Sequence, residues 1–213
     1  MNTTDVRHVL FDADGVVQHL PGGSYAAAEP FLGSSTDEFL RAAWRAEGPL
    51  LVGADGDFLT VLTGLLEEHG ATASTDEVYT AVWNAIETNR ETAEVVRRVR
   101  AAGYGAHLGT NQARNRGAFM RTGLGYDDLF DVSCYSYDLG VAKPDPEFFR
   151  RCAERIGADP REILFVDDSA RNVAAARSVG MTALHWSFDP AAEADHTGHD
   201  ALVGELAAHG VHL

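Results

Sequence analysis

Short apolar segments alternate with amphipathic helical patterns along most of this 213-residue chain. The segments predicted to form buried strands are residues 6–11, 104–109, 132–135, 162–166 and 182–186. The helical patterns between them cover residues 91–102, 146–156 and 170–179. Strands that alternate with helices of this length are typical of βαβ units, in which a helix connects two parallel strands. The alternation therefore predicts an α/β fold with a doubly wound parallel sheet.

The stretch from residue 18 to residue 88 interrupts this alternation. It shows no strand pattern and is far longer than an ordinary loop. Its amphipathic helical segments lie near residues 35–44, 57–68 and 74–86. Ser35 with Glu38 and Ser74 with Glu77 have the spacing of capping boxes at helix starts. We therefore expect a helical subdomain, residues 18–88, inserted into a core made of residues 1–17 and 89–213.

Polar side chains follow the predicted strands at the edge where an open parallel sheet binds its ligands. These residues are Asp12 and Asp14, Thr110 and Asn111, Lys143, and Asp167 and Asp168. Carboxylate oxygens are ligands that Mg²⁺ prefers, and several carboxylates at one edge would repel one another without a cation. The lysine, the hydroxyl and a backbone N–H are suited to bind phosphoryl oxygens. The set predicts magnesium-assisted phosphoryl chemistry.

The order Asp-x-Asp-Gly, Thr, Lys, Asp-Asp resembles the phosphatase branch of the haloacid dehalogenase superfamily, over most of residues 6–186. That resemblance implies a Rossmann-like core, and the helical insertion looks like the C1 cap of this superfamily. The segments VAKPDPEFF and ILFVDDSARNVAAARSVGM are similar to sugar-phosphate phosphatases and to the phosphatase domain of epoxide hydrolases. A Mg²⁺-dependent phosphatase acting on a small phosphorylated metabolite, for example a sugar phosphate, is the expected function.

The resemblance also implies a role for each matching residue. Asp12 would attack phosphorus and form an aspartyl-phosphate, while Asp14 would act first as general acid and then as general base. The dehalogenases of the superfamily lack an acid two residues after the nucleophile, so Asp14 favours phosphoester chemistry. The phosphoryl group would be bound by Thr110, Asn111 and Lys143.

Magnesium would be held by Asp12, by the backbone carbonyl of Asp14 and by Asp168. Asp167 would be a further ligand or a partner of the ligands. The fourth motif reads Val-Asp-Asp-Ser in place of the common Gly-Asp-Asp or Gly-Asp-Ser. That difference leaves open which of the two adjacent aspartates binds the metal, although alignment on Ser169 favours Asp168.

The net charge and the composition of the chain argue against some classes of binding partner. The sequence has 17 Lys and Arg against 32 Asp and Glu, a net charge of −15, so we expect no binding to nucleic acid or to an anionic membrane. Its two cysteines form no CxxC pair, and no segment has the pattern of a signal peptide or of a membrane span. We therefore expect a cytoplasmic protein. The sequence does not indicate its oligomeric state.

Two other functions fit the same motifs. A phosphomutase of the same superfamily would return the phosphoryl group to a bound substrate, and a non-catalytic module would bind a phosphate ligand without turnover. Individual residues also have structural interpretations. Asp12 and Asp14 would suit a turn, Thr110 would suit the N-cap of a helix starting near Gln112, and Asp167-Asp168 would suit a helix N-terminus.

Aromatic and histidine side chains have structural interpretations as well. We expect Trp44, Tyr79 and Trp83 to form the core of the helical insertion, and His107 to be packed within a strand. His19 lies at the predicted hinge between core and insertion. There we favour a solvated loop histidine over a substrate contact.

Overall fold

The computed structural model describes residues 5–187 and 199–213. Its strands are β1 His8–Phe11, β2 Gln18–His19, β3 Glu87–Thr88, β4 Gly105–Thr110, β5 Val132–Tyr135, β6 Ile163–Asp167 and β7 Thr182–His185. Five of them form one parallel sheet in the order β5-β4-β1-β6-β7. The predicted α/β fold is confirmed, and each of the five predicted strands is placed within two residues of the observed one.

Helices connect these strands. They are α1 Gly23–Leu32, α2 Thr36–Glu47, α3 Phe58–Glu68, α4 Thr75–Tyr79, α5 Arg90–Ala101, α6 Arg114–Ala118, α7 Tyr126–Leu129, α8 Ser136–Leu139, α9 Pro146–Ile156, α10 Ala170–Ser178 and α11 His199–Ala208. Single π-helical turns at Thr80–Asn84 and Phe119–Gly123 extend α4 and α6, and 3₁₀ turns lie at Gly33–Ser35, Leu50–Val52 and Pro160–Glu162. The three helices predicted between the strands correspond to α5, α9 and α10.

Local sequence explains where these helices begin. The side chain of Asp145 accepts a hydrogen bond from the Glu147 N–H at 2.8 Å, and Pro146 occupies the first turn of α9. The side chain of Asn89 likewise accepts from the N–H groups of Glu91 and Thr92 at the start of α5.

The sheet is covered on both faces. Successive residues of a strand point to opposite faces, so Val9 and Phe11 of β1 belong to one hydrophobic cluster and Leu10 to another. The first cluster includes Val96 of α5, and the second includes Phe149 of α9. Burial on both faces is what a doubly wound sheet requires.

The segment between residues 18 and 88, which we call the cap segment, has a hydrophobic cluster of its own. All its fully buried members lie between Ala28 and Trp83, on α1 to α4 and the π turn that follows. The separate cluster supports the predicted division into core and inserted subdomain, which stays a prediction.

Parts of the cap segment differ from the expectation. Two short strands, β2 and β3, pair antiparallel where the chain leaves and re-enters the core, although no strand was predicted there. Helix α1 was also not predicted. The capping box at Ser74 is confirmed, but the one at Ser35 is wrong because Ser35 lies in a 3₁₀ turn and its side chain makes no cap hydrogen bond.

No helix within the described ranges combines the length and the apolar character that a membrane span requires.

Candidate active site

The carboxyl ends of β1, β4 and β6 meet at one edge of the sheet. Asp12 follows β1, Thr110 ends β4 and Asp167 ends β6, while Lys143 reaches this edge from the loop before α9. The ammonium of Lys143 lies 2.6 Å from Asp12 Oδ1 and 2.7 Å from Asp167 Oδ2. Lys143 is the only lysine in the sequence. Because no other lysine occurs, this residue can be singled out from the sequence alone.

Asp12 is buried beside one shared cation. Its backbone N–H donates to the Val166 carbonyl at 2.9 Å, and its Oδ1 accepts from the Ala13 N–H at 2.7 Å. Burial raises the pKa of Asp12 to about 8. The charge of Lys143 opposes this shift, and the nearby carboxylate of Asp167 adds to it. The nucleophile predicted from the sequence therefore lies where its negative charge is only partly compensated.

The two adjacent aspartates of the fourth motif have different surroundings. Asp167 is fully buried, and its oxygens accept from Lys143 Nζ, from the Ser169 N–H at 2.8 Å and from Asn172 Nδ2 at 2.9 and 3.1 Å. Asp168 is exposed, and its carboxylate lies against Gly15, where a Cβ would overlap it. Asp167 thus holds Lys143, Ser169 and Asn172 in place through hydrogen bonds. Asp168, in contrast, has a carboxylate available for a ligand.

A group of three carboxylates at this edge has the dimensions of a cation site. Oxygens of Asp12, Asp167 and Asp168 all lie within 4.8 Å of one another. Partial burial and the charge of Asp167 also raise the pKa of Asp168. One ammonium among three carboxylates leaves an excess of negative charge, and hard oxygen donors of this kind fit a divalent cation such as Mg²⁺.

The residues predicted to bind phosphate are close to this group. The side-chain amide of Asn111 brackets the backbone of Lys143: Nδ2 donates to the Lys143 carbonyl at 2.9 Å, and Oδ1 accepts from the Lys143 N–H at 2.8 Å. The hydroxyl of Thr110 is buried and accepts from Gln112 Nε2 at 2.9 Å. The N-cap interpretation of Thr110 is wrong, because α6 begins at Arg114 and has Ala113 as its N-cap.

Asp14 stands apart from the carboxylate group and is surrounded by donors. Arg116 binds it with two parallel hydrogen bonds, at 2.7 Å to Oδ2 and 2.8 Å to Oδ1. Gln112 Nε2 donates to Oδ2 at 2.8 Å, and Gln18 Nε2 donates to Oδ1 at 2.9 Å. Whether the Asp14 backbone carbonyl also holds the metal stays a prediction.

These donors set the charge of Asp14. Burial favours the neutral acid, but Arg116 and the two glutamine amides outweigh it and lower the pKa of Asp14 to about 2. The surroundings of Asp12 and Asp14 therefore shift the pKa values of these two carboxyl groups in opposite directions.

Arg116 links the core to the cap segment. Its Nε donates to the Trp83 carbonyl at 2.7 Å, while NH1 also donates to Gln112 Oε1 at 2.7 Å. Arg116, Gln112 and Gln18 were not among the residues predicted from the sequence. Gln112 directly follows the Thr110-Asn111 motif, a signal that was available. Arg116 follows no motif, and its partners come from distant segments.

A cavity of about 400 Å³ opens beside Asp14, between the core and the cap segment. The core contributes Asp14, Gly15, Asn111, Gln112 and Arg116, and the cap segment contributes His19, Leu20, Gly23, Ser24, Trp44, Glu47, Leu51 and Trp83. A leaving group bound here would lie next to Asp14, so we take this cavity as the candidate substrate site.

The residues that line the cavity differ from two predictions made from the sequence, those for Trp44 and His19. Trp44 is 50% exposed and lines the cavity, so its assignment to the cap core is wrong. Tyr79 and Trp83 are buried and stacked at 5.8 Å, as expected. His19 is half-buried on β2, lines the cavity and lies 3.8 Å from Glu87, which differs from a solvated loop. His107 is buried as predicted, with Nε2 3.0 Å from His8 Nδ1.

Comparison with known proteins places this site in a family context. Residues 6–180 match the model of the haloacid dehalogenase-like hydrolases. A phosphoglycolate phosphatase of Yersinia pestis is 29% identical over 194 residues, which cover 86% of this chain and 82% of that protein. The sesquiterpene phosphatase astK of Aspergillus oryzae is 45% identical over 58 residues, 27% of this chain and 30% of that protein.

A similar solved structure is a haloacid dehalogenase-family enzyme from Bacteroides thetaiotaomicron in complex with magnesium and inorganic phosphate. It has a TM-score of 0.72 and 19% identity, and the match covers 90% of this chain and 98% of that one. At this identity the likeness concerns the fold. The chain spans only 17% to 30% of the length of several other curated relatives that it matches, astK among them.

Proposed function

The chain belongs to the haloacid dehalogenase-like hydrolases, and on that premise we propose that it is a magnesium-dependent phosphatase of small phosphorylated metabolites. One observation carries the proposal. The buried carboxylate of Asp12 belongs to the group of three carboxylates and lies 2.6 Å from the ammonium of Lys143. Asp14, two residues further along the chain, lines the candidate substrate cavity. The residues proposed as nucleophile, as cation ligands and as general acid thus belong to one edge of the sheet.

In the first step the carboxylate of Asp12 attacks the phosphorus of the ester. A bond from the Asp12 oxygen to phosphorus forms, and the bond from phosphorus to the leaving oxygen breaks. Asp14 gives that oxygen its proton, so the alcohol leaves in neutral form. The product in the site is an aspartyl-phosphate on Asp12.

In the second step a water molecule attacks the same phosphorus. The carboxylate of Asp14 takes the proton of this water, and the bond from phosphorus to Asp12 breaks to release inorganic phosphate. Asp12 returns as a carboxylate and Asp14 as an acid, so one cycle consumes one ester and one water.

The remaining residues supply charge and orientation. Lys143 donates to Asp12 and is placed to stabilise the phosphoryl oxygens, with Asn111 and Asp167 fixing its position. The Thr110 hydroxyl and the Asn111 N–H donate to the phosphoryl group. We assign Asp12, Asp168 and the Asp14 carbonyl as metal ligands. Magnesium bound there would neutralise the excess carboxylate charge and that of the phosphoryl oxygens.

The first experiment measures phosphate release from p-nitrophenyl phosphate and from glycerol 3-phosphate, with magnesium and with excess chelator. We expect turnover with magnesium only. Asp12→Asn should lower it by roughly 10⁴-fold or more, because no other group in the site replaces the nucleophile.

Asp37→Asn is the matched control. Asp37 lies in an exposed ion pair with Arg41 on α2 and should keep wild-type turnover after the same change of residue type. Phosphate release that does not depend on magnesium, or that survives in Asp12→Asn, would contradict the proposed function.

A further inference from the structure

Glu47 lies in the wall of the candidate substrate cavity, on the side that the cap segment provides. It is the last residue of α2 and is only 9% exposed. Trp44 lies three residues earlier on the same helix, is 50% exposed and lines the same cavity. Side chains at this spacing are neighbours on a helix surface. An acid and an aromatic ring thus stand side by side where the leaving group of an ester would bind.

The negative charge of Glu47 is only weakly compensated by the protein. Its Oε2 accepts from the indole N–H of Trp83 at 3.4 Å, which is the hydrogen bond that this side chain makes within the described ranges. An ionised carboxylate has about four lone-pair sites, so further sites are open to a ligand. Burial raises the pKa of Glu47, and the Trp83 N–H and the charge of Arg116 only partly oppose this shift.

The basic side chains of the cavity wall do not supply the missing charge. Arg116 binds Asp14 with two parallel hydrogen bonds, at 2.7 and 2.8 Å, so its charge is already neutralised. His19 lies 3.8 Å from the carboxylate of Glu87. A cation that neutralises Glu47 would therefore come from the ligand.

Trp44 provides a second attraction for a cation. The face of an indole ring attracts an ammonium group and also packs against the methylene groups that carry it. A neutral hydroxyl could accept or donate a hydrogen bond at Glu47 but would gain little from the ring. The pair of side chains therefore fits an alkylammonium group better than it fits a hydroxyl group.

We propose that Glu47 is a specificity-determining residue that binds, together with Trp44, an ammonium group on the leaving group. The preferred substrates are then phosphate monoesters of amino alcohols, which release the amino alcohol and inorganic phosphate. This inference rests on the proposed phosphatase function and adds the class of substrate.

The test compares two esters that differ in one group. Phosphoethanolamine carries an ammonium where 2-hydroxyethyl phosphate carries a hydroxyl. We expect wild-type kcat/KM with magnesium to favour phosphoethanolamine by about tenfold to a hundredfold, the usual range for hydrogen bonds between charged groups. Glu47→Gln should reduce this ratio to about one, chiefly by slowing the amino ester. A merely structural role of Glu47 would slow both esters alike.

Glu38→Gln is the matched control, because it removes the same charge from the exposed surface of the same helix. It should keep the wild-type preference for phosphoethanolamine. Loss of the preference in Glu38→Gln as well would assign the effect to the overall charge of the chain and overturn the inference. The wild-type ratio is informative without any variant, since a value near one would also overturn it.

The remaining outcomes separate this inference from the proposed function. If p-nitrophenyl phosphate is hydrolysed with magnesium but phosphoethanolamine is not favoured, only the role of Glu47 is wrong. If none of the three esters is hydrolysed, the phosphatase function fails and the inference fails with it. A wild-type preference for 2-hydroxyethyl phosphate that disappears in Glu47→Gln would show that Glu47 binds a hydroxyl, which contradicts the proposed ammonium site.

Discussion

Asp12 and Asp14 are two residues apart, yet their surroundings are opposite. Asp12 is buried and shares one ammonium with Asp167, and its burial raises its pKa to about 8. Asp14 has a guanidinium in bidentate contact and two amide donors, and its pKa falls to about 2. The negative charge of the aspartate is thus only partly neutralised by neighbouring donors at position 12, whereas at position 14 it is fully neutralised.

This difference indicates what each carboxylate needs in order to react. Asp12, the proposed nucleophile, must be ionised when it attacks, so the proposed mechanism requires a further cation beside it. Asp14, the proposed general acid, must hold a proton when the alcohol leaves, so the proposed mechanism requires that it first lose one of its hydrogen-bond donors. A metal ion bound beside Asp12 would supply the cation that the first requirement names.

The largest effect that tests this comparison should come from Lys143→Met. The substitution removes the cation that Asp12 and Asp167 share, and with it the ammonium beside the phosphoryl oxygens. We expect kcat/KM for any phosphate ester to fall by about 10³-fold or more, because donors aimed at developing charge are among the strongest catalytic terms. Steady-state kinetics with saturating magnesium measure it.

Arg41→Met is the control for loss of a cation. Arg41 pairs with Asp37 on the exposed face of α2, and its loss should leave kcat/KM unchanged. Lys143→Arg keeps the charge but not the shape and should recover only part of the activity. If Lys143→Met keeps more than a tenth of wild-type turnover, Asp12 does not depend on this cation and the contrast with Asp14 is wrong.

A smaller and more selective effect should follow from Asp14→Asn. An alkoxide leaves poorly without a proton, whereas nitrophenolate leaves without one. We therefore expect kcat/KM to fall by about 10²-fold or more for glycerol 3-phosphate but by less than about tenfold for p-nitrophenyl phosphate. Equal losses for the two esters would mean that Asp14 is not the general acid. Asp12→Asn, in contrast, should affect both esters equally.

Much of the core could be predicted from the sequence because its signals are local. Residues 163–166 of β6 are a run of buried apolar residues, and α9 has its N-cap, its N1 proline and a terminal glycine in sequence order. Helix α1 lacked such signals. It begins at a glycine, contains Pro30, and buries only Ala28 and Leu32.

The residues of the candidate site likewise fall into two groups, those that sequence motifs identify and those that only the fold brings to the site. Asp12, Asp14, Lys143 and the paired aspartates belong to motifs at the ends of strands or before a helix, so their common location could be predicted from the sequence. Arg116 could not be found this way, because its contacts to Asp14 and Trp83 span 102 and 33 residues. The exposure of Trp44 was equally hidden, since helical periodicity cannot tell a face packed in a core from a face lining a cavity.

The smallest effect, and the most direct test of the comparison, concerns stability without metal. The folded-state pKa of Asp12 lies above its ordinary value. The folded protein therefore keeps a proton that the unfolded chain releases, and the contribution of Asp12 to stability is lost as pH rises toward 8. For Asp14 the shift is downward, so its contribution is present above the ordinary aspartate range and is lost as pH falls toward 2. At pH 8 the two asparagine variants should thus shift stability in opposite directions.

Thermal unfolding in excess chelator at pH 8 measures this contrast. We expect Asp12→Asn to raise Tm by about 5 °C, because it removes a buried charge that one shared lysine cannot compensate. Asp14→Asn should lower Tm by roughly 5 °C, since it leaves the guanidinium of Arg116 without its anion; half-exposure of Asp14 keeps this loss near 2 kcal/mol. The rise for Asp12→Asn should shrink at pH 5, where the wild-type residue is already protonated in the fold. Magnesium should cancel it at pH 8, since the ion stabilises only the wild-type carboxylate. Shifts of the same sign in both variants would show that the two aspartates do not differ in how their charge is compensated.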